Sequence, residues 1–355
     1  MLNIVIPMAG RGSRFTANPK YREHPKPMIP VHGKPMIQVV VENLKPNRQH
    51  RFIFICQNEH IDKYDLRPFL TSLSENVEVI GIDGITDGIV STILKAKDFI
   101  NNDDPVMTAN SDQWINFDVN DYLHEMDKIS ADGLIMTMKA DEDKWSYVLL
   151  DDNGYVTKTV EKQVISDEAT TGVYNFKRGK DLVQAAEDMI AADDRVNGEF
   201  YIFPVYNYLN SKKVVIYNVG SEYNGMHGLG IPSDLEIFLE DAVSEKVKDV
   251  QVAHLDDMIK GWFVGDFDQS LLRTKGFEVA VKEYQKGEKE DKHVHKIAKE
   301  ITVVVRGKVK MCDRILEQGQ MILMEPGVAT DFEALEDTIT FVVKTPSVIG
   351  DKYDA

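Results

Sequence analysis

Residues 8–36, MAGRGSRFTANPKYREHPKPMIPVHGKPM, hold the side chains best suited to gripping phosphate groups. They follow a short apolar run, Leu2 to Pro7, that reads as a buried β-strand. Gly10 and Gly12 let backbone N–H groups approach an anion closely. Arg14 and Lys26 add the cations that a triphosphate needs. Pro25 and Pro27 each fix φ, so Lys26 sits on a stiff loop at low entropic cost. The package suits the binding and polarisation of a nucleoside triphosphate.

Two further places carry chemistry. Asp112 follows an apolar strand as Asn110-Ser111-Asp112-Gln113, where a carboxylate can hold Mg²⁺ together with waters and substrate phosphates. Glu161-Lys162 ends the strand Val156–Val160 and offers an acceptor for hydroxyl groups beside a point charge for an anion. Two other phosphate loops are excluded. Phe15 stands where the third glycine of a dinucleotide fingerprint belongs, and no Gly-Lys-Ser/Thr occurs in the chain.

The G-x-G-S-R-F and P-K-P-M elements resemble the signature of the nucleotidyltransferases that join a nucleoside triphosphate to a sugar 1-phosphate or related phosphate ester, the NDP-sugar pyrophosphorylases. The resemblance spans roughly residues 1–240. It implies that Ala9, Gly10, Gly12, Ser13, Arg14, Lys26, Gly88 and Asn110 contact the triphosphate. It implies Glu161, Lys162, Gly172 and Glu199 on the acceptor side, and Asp112 on Mg²⁺. Arg14, Lys26, Asp112 and Lys162 would carry catalysis. The acceptor's phosphate oxygen attacks the α-phosphorus, pyrophosphate leaves, and no side-chain nucleophile is needed; alignment and cations suffice. Thr86-Asp87-Gly88-Ile89-Val90-Ser91-Thr92 resembles the segment that reads the base, yet the glutamine that many thymidylyl and uridylyl enzymes carry near the place of Ser91 is absent. Gly228, in His227-Gly228-Leu229-Gly230-Ile231-Pro232-Ser233-Asp234, stands where many members place a second acidic metal ligand. Base, acceptor and second metal ligand therefore stay open here. By resemblance, the product would feed surface glycan or capsule assembly.

The elements that must position these residues alternate through the first half. Strands are expected over Met1–Pro7, Arg51–Cys56, Val77–Ile82 and Pro105–Ala109, and helices over Pro35–Leu44, Ile61–Leu73 and Ile89–Ile100. This predicts a mostly parallel, Rossmann-like α/β sheet with ligands at the carboxyl ends of its strands. More strands follow at Leu134–Met138, Tyr147–Asp151, Val156–Glu161, Thr170–Phe176 and Lys213–Val219. Helices are expected at Lys180–Ala191, Phe200–Leu209 and Ser233–Asp241, the last with Ser233 as N-cap.

A chain of 355 residues suits two domains. We expect a nucleotidyltransferase domain over 1–241, a connector over 242–275 and a small all-β barrel over 276–355. The stretch Gly287-x5-His293-x-His295-x4-Glu300-x6-Gly307 resembles the first cupin motif, and Gly319, Pro326 and Gly327 the second. The resemblance implies a divalent transition metal on His293, His295 and Glu300, but the later histidine is replaced by Val328-Ala329-Thr330-Asp331. Three ligands suit Fe, Mn, Zn or Ni. The rival is a barrel kept for oligomerisation, such as a homodimer, or for ligand sensing.

The net charge of −17 argues against nucleic acid or an anionic membrane as partner and demands a locally positive substrate pocket. Two cysteines, no basic leader and no apolar run near the ~20 residues of a membrane span lead to the expectation of a cytoplasmic protein. Two rival functions remain at this point: a bifunctional nucleotidyltransferase and sugar-phosphate isomerase, and a non-catalytic nucleotide-sugar sensor.

Overall fold

The computed structural model describes residues 1–210, 213–221, 224–250, 252–267 and 270–355. Three positions of the expected connector, 251, 268 and 269, lie outside them. The chain divides into two compact units, Met1–Lys248 and Asp249–Ala355.

Strict two-residue alternation builds the first unit. In Leu2–Pro7, Leu2, Ile4 and Ile6 face one core while Val5 faces the other. Phe52, Phe54 and Cys56 alternate with Ile53 and Ile55 in the same way along His50–Gln57. A strand buried on both faces needs covering helices on both, which is the doubly covered sheet that apolar runs of this kind imply. The order across the sheet is Val156–Val160, Tyr147–Leu150, Glu168–Phe176, Val106–Ala109, Leu2–Pro7, His50–Gln57, Val77–Ile82. The last four pair in parallel, and Glu168–Phe176 pairs antiparallel to Val106–Ala109. Gly133–Lys139 pairs with Glu168–Phe176 and carries Val214–Ser221 on its other edge. The sheet is thus mixed and mostly parallel on the phosphate-loop side.

Several expected helices are corrected. Ile61–Leu73 is two helices, Asn58–Tyr64 and Leu66–Ser72, broken at Asp65 with φ 47°. In one continuous helix the ring of Pro68 would meet the carbonyl of Tyr64, which explains the break. Ile89–Ile100 is α-helical at Ile89–Ile93 and Lys97–Ile100, with a 3₁₀ turn between. Phe200–Leu209 forms a 3₁₀ helix over Phe203–Tyr208 with Pro204 in its first turn. The helix expected at Ser233 begins at Pro232, so Ile231 is the N-cap and Ser233 lies inside. A helix at Val119–Ile129 and short paired strands at Gln113–Ile115 and Met226–Gly228 complete the site region.

The second unit is antiparallel throughout its named strands. One five-stranded sheet runs Trp262–Val264, Glu278–Tyr284, Thr338–Thr345, Lys299–Arg306, Met321–Met324. The other runs Arg314–Glu317, Lys308–Met311, Ala329–Ala334, Lys289–Val294, Tyr353–Asp354. A small core of Val304, Val309, Met311, Leu316, Met324, Phe332 and Ala334 lies between inward-facing side chains. Among the described residues, no helix is long and apolar enough to cross a membrane.

Candidate active site

The parallel strands deliver their loops to one end of the first unit. After Leu2–Pro7 the chain turns through Gly10, where the space beside Cα is open, to Gly12, held at φ +61° before the short helix Ser13–Thr16. A β-carbon at Gly12 would stand 3.1 Å from Lys26 Cβ, so the glycine loop packs on the lysine that the two prolines fix. Gln57 Nε2 donates to the Ala9 carbonyl at 2.6 Å and ties the loop to the neighbouring strand. Arg14 and Ser13 are exposed at its rim.

The Lys26 ammonium lies in direct contact with Asp112 Oδ2. Leu229 N donates to the Asp112 carbonyl at 2.8 Å, and Gly228 pairs with Gln113. Gly230 approaches so closely that a β-carbon there would lie 2.6 Å from Asp112 Oδ2. Asn110 Nδ2 donates to Gln113 Oε1 at 3.2 Å. Gly172, at φ +87°, leaves room for that amide, since a β-carbon would sit 2.2 Å from Asn110 Nδ2. Asn110, Asp112, Lys26, Gly12 and Gly172 are therefore contiguous.

Of the residues expected on the acceptor side, Gly172 lies with Asn110, while Glu161 and Lys162 form a second cluster with Ser146 and Tyr201. Burial pushes the Glu161 carboxyl upward, against its hydrogen bond with Ser146 and the nearby Lys162 charge. Lys162 has φ 52°, its N–H donates to Ser146 Oγ at 3.2 Å, and its ammonium donates to the Tyr201 hydroxyl at 3.1 Å. The same ammonium lies 5.0 Å from the centroid of the Tyr201 ring. Gly88, at φ +128°, is stitched to this segment: Phe200 N donates to the Asp87 carbonyl at 2.9 Å, and Val90 N to the Phe200 carbonyl at 3.1 Å. A β-carbon at Gly88 would fall 2.4 Å from Phe200 N. Glu199 precedes this junction and is exposed.

Four contributors escape the sequence reading: Gln113, Ser146, Tyr201 and Gly230. Gln113 follows Asp112, and Gly230 and Tyr201 lie two residues after Gly228 and Glu199, yet the contacts of Gly230 and Tyr201 come from chain segments far apart. His227 is partly buried beside Trp114 and Phe238, and its Nε2 has no hydrogen-bond partner among the described residues. Burial lowers its pKa.

In the second unit a cavity of about 800 Å³ is lined by His293, His295, Glu300, Lys282, Lys344 and Trp262, among others. The ligand atoms of His293, His295 and Glu300 lie within 4.8 Å of one another. His293 Nδ1 donates to the Asp291 carbonyl at 2.8 Å, and His295 Nδ1 to that of Asp351. Each Nε2 is thereby left for the cavity, the arrangement that orients metal-binding imidazoles. His295 Nε2 lies 3.2 Å from Glu300 Oε2, and that contact raises the pKa of His295 against the effect of burial. Thr330, in the stretch where a third histidine would complete four ligands, faces His293 across the strand pair.

A family model described as nucleotidyl transferase matches residues 4–202. The bifunctional protein GlmU of Methanocaldococcus jannaschii is 25% identical over 181 residues, covering 50% of this chain and 40% of that protein. The chain thus spans well under two thirds of that relative's length. The nucleoside-diphosphate-sugar pyrophosphorylase of Vibrio cholerae RC9 aligns with a TM-score of 0.56 at 25% identity, over 67% of this chain and 100% of that one. The UDP-glucose pyrophosphorylase of Acinetobacter baumanii shares the fold, with a TM-score of 0.52 at 19% identity, over 67% of this chain and 92% of that one.

Proposed function

The chain belongs to the nucleotidyl transferase family, and from that premise we propose that it joins a nucleoside triphosphate to a sugar 1-phosphate or similar phosphate ester, releasing pyrophosphate. The observation that carries this reading is the contact of Lys26 with Asp112, which brings the phosphate-loop lysine to the strand-end carboxylate. That carboxylate already accommodates a cation, so its chemistry fits Mg²⁺. When bound, Mg²⁺ supplies charge neutralisation between the two phosphorylated reactants. Arg14, exposed at the rim, holds the outer phosphates. Lys26 draws the triphosphate in, and Lys162 draws in the acceptor's phosphate. Glu161 accepts from acceptor hydroxyls, while Gly172 and Glu199 line the same side. Gly10, Gly12, Ser13 and Ala9 offer backbone to the triphosphate, with Gly88 and Asn110 toward its nucleoside. Alignment of the two reactants supplies most of the rate. We place the reaction in the cytoplasm, feeding surface glycan or capsule precursors.

Phosphorus NMR of five nucleoside triphosphates, each mixed with Mg²⁺, the protein and a panel of sugar 1-phosphates and other phosphate esters, tests this. A new pair of diphosphate diester resonances with free pyrophosphate is expected for one pair. Silence across the whole panel refutes the reading and favours a nucleotide-sugar sensor.

For the second unit, the fixed Nδ1 atoms of His293 and His295 favour a cupin-like barrel that holds one divalent transition metal with Glu300. Titration with Co²⁺ is expected to give a saturable visible absorption band at one equivalent, absent in His293→Ala. A protein that stays colourless refutes it.

A further inference from the structure

The carboxylate suited to Mg²⁺ already holds a cation. Lys26 Nζ lies directly on Asp112 Oδ2, and the two side chains are only 25% and 24% exposed. The pair is confined from several sides. Gly230 closes over both groups, its β-carbon position lying 2.6 Å from Asp112 Oδ2 and 3.6 Å from Lys26 Nζ. Gly12 packs on the stem of the lysine. Pro25 and Pro27 stiffen the turn Lys26–Met28 that carries it. Asp112 is pinned in turn by Leu229 N on its carbonyl.

We infer that Lys26 is a latch on the metal site, so that a divalent ion enters with the triphosphate and not ahead of it. An ammonium and a dication sharing one carboxylate repel each other, which disfavours the ion alone. A triphosphate offers Lys26 a competing set of anionic oxygens. When the ammonium turns to them, Asp112 is released to the ion that the triphosphate brings. One side chain thereby sets the order of binding and then neutralises phosphate charge. The exchange makes and breaks no covalent bond. This inference rests on the nucleotidyltransferase reading.

Mn²⁺ retained with the protein on ultrafiltration tests it, without reference to turnover. All samples carry His293→Ala, which silences the cavity of the second unit. Without nucleotide, Lys26→Met is expected to bind Mn²⁺ at least tenfold more tightly than the protein that keeps Lys26. Lys26→Arg keeps the cation and is expected to stay weak. Adding Asp112→Asn to Lys26→Met removes the gain. With an equimolar mixture of ATP, CTP, GTP, UTP and dTTP present, the protein that keeps Lys26 is expected to retain Mn²⁺ as well. Equal Mn²⁺ affinity with and without the Lys26→Met substitution, in the absence of nucleotide, overturns the latch and leaves the functional reading standing. No retention by the protein that keeps Lys26, even with nucleotides, overturns both.

Discussion

At the scale of single residues, the acceptor side as we propose it depends on a tyrosine as much as on a charge. Lys162 is held by the Tyr201 hydroxyl at 3.1 Å while its ammonium lies over the same ring. A hydrogen bond to a charged group contributes on the order of 1.5–3 kcal/mol where it is desolvated and less at a rim. Tyr201→Phe keeps the ring and removes the hydroxyl. We expect KM for the phosphorylated acceptor to rise about 3- to 10-fold, with KM for the triphosphate unmoved, as steady-state kinetics would check. Lys26, Asp112 and Lys162 stand out as candidates in the sequence because a fixed local pattern surrounds each. Tyr201 and Gly230 do not, because what they do comes from long-range approach: Tyr201 reaches a residue 39 positions away.

At the scale of elements, the loops depend on glycines where backbone and side chains crowd. Gly172 lies in the long buried strand Glu168–Phe176, which gives no room for a methyl group beside Asn110. Gly172→Ala combines a left-handed φ with that clash, so we expect a loss of about 1–3 kcal/mol in denaturant unfolding. The central strands were readable as short apolar runs, because Leu2–Pro7 and His50–Gln57 bury both faces. Helix limits were less so. Residues 61–73 look continuous until Pro68 is weighed against the carbonyl four residues earlier. The helix Val119–Ile129 carries Val119, Tyr122, Leu123 and Met126 at helical spacing, with Asp118 accepting from Asn120 N as N-cap. That signal is present in the sequence, although the expected elements did not include this helix.

At the scale of the whole molecule, two units of different architecture share one acidic chain with net charge −17. The second unit keeps charge inside. Burial would push the Glu290 carboxyl up, but Lys282, the Tyr284 hydroxyl and Lys352 overcome it and bring its pKa down to about 2. Its ordinary value is near 4.5, so its contribution to stability is complete above that pH and disappears as pH falls toward 2. The loss is on the order of 3 kcal/mol over that window. We expect Glu290→Gln to be less stable at neutral pH and to show a flatter acid limb when unfolding is followed from pH 5 to pH 2. A parallel acid limb for both proteins would contradict that assignment.

The central claim is that Lys26, Lys162 and the carboxylate of Asp112 act in one reaction at the carboxyl end of the parallel strands. Pyrophosphate release by the wild type, beside Lys26→Met, Lys162→Met and Asp112→Asn of unchanged circular dichroism, tests it most directly. The account predicts that each variant falls by at least about 100-fold. A well-folded variant of any of the three that turns over near the wild-type rate would contradict it.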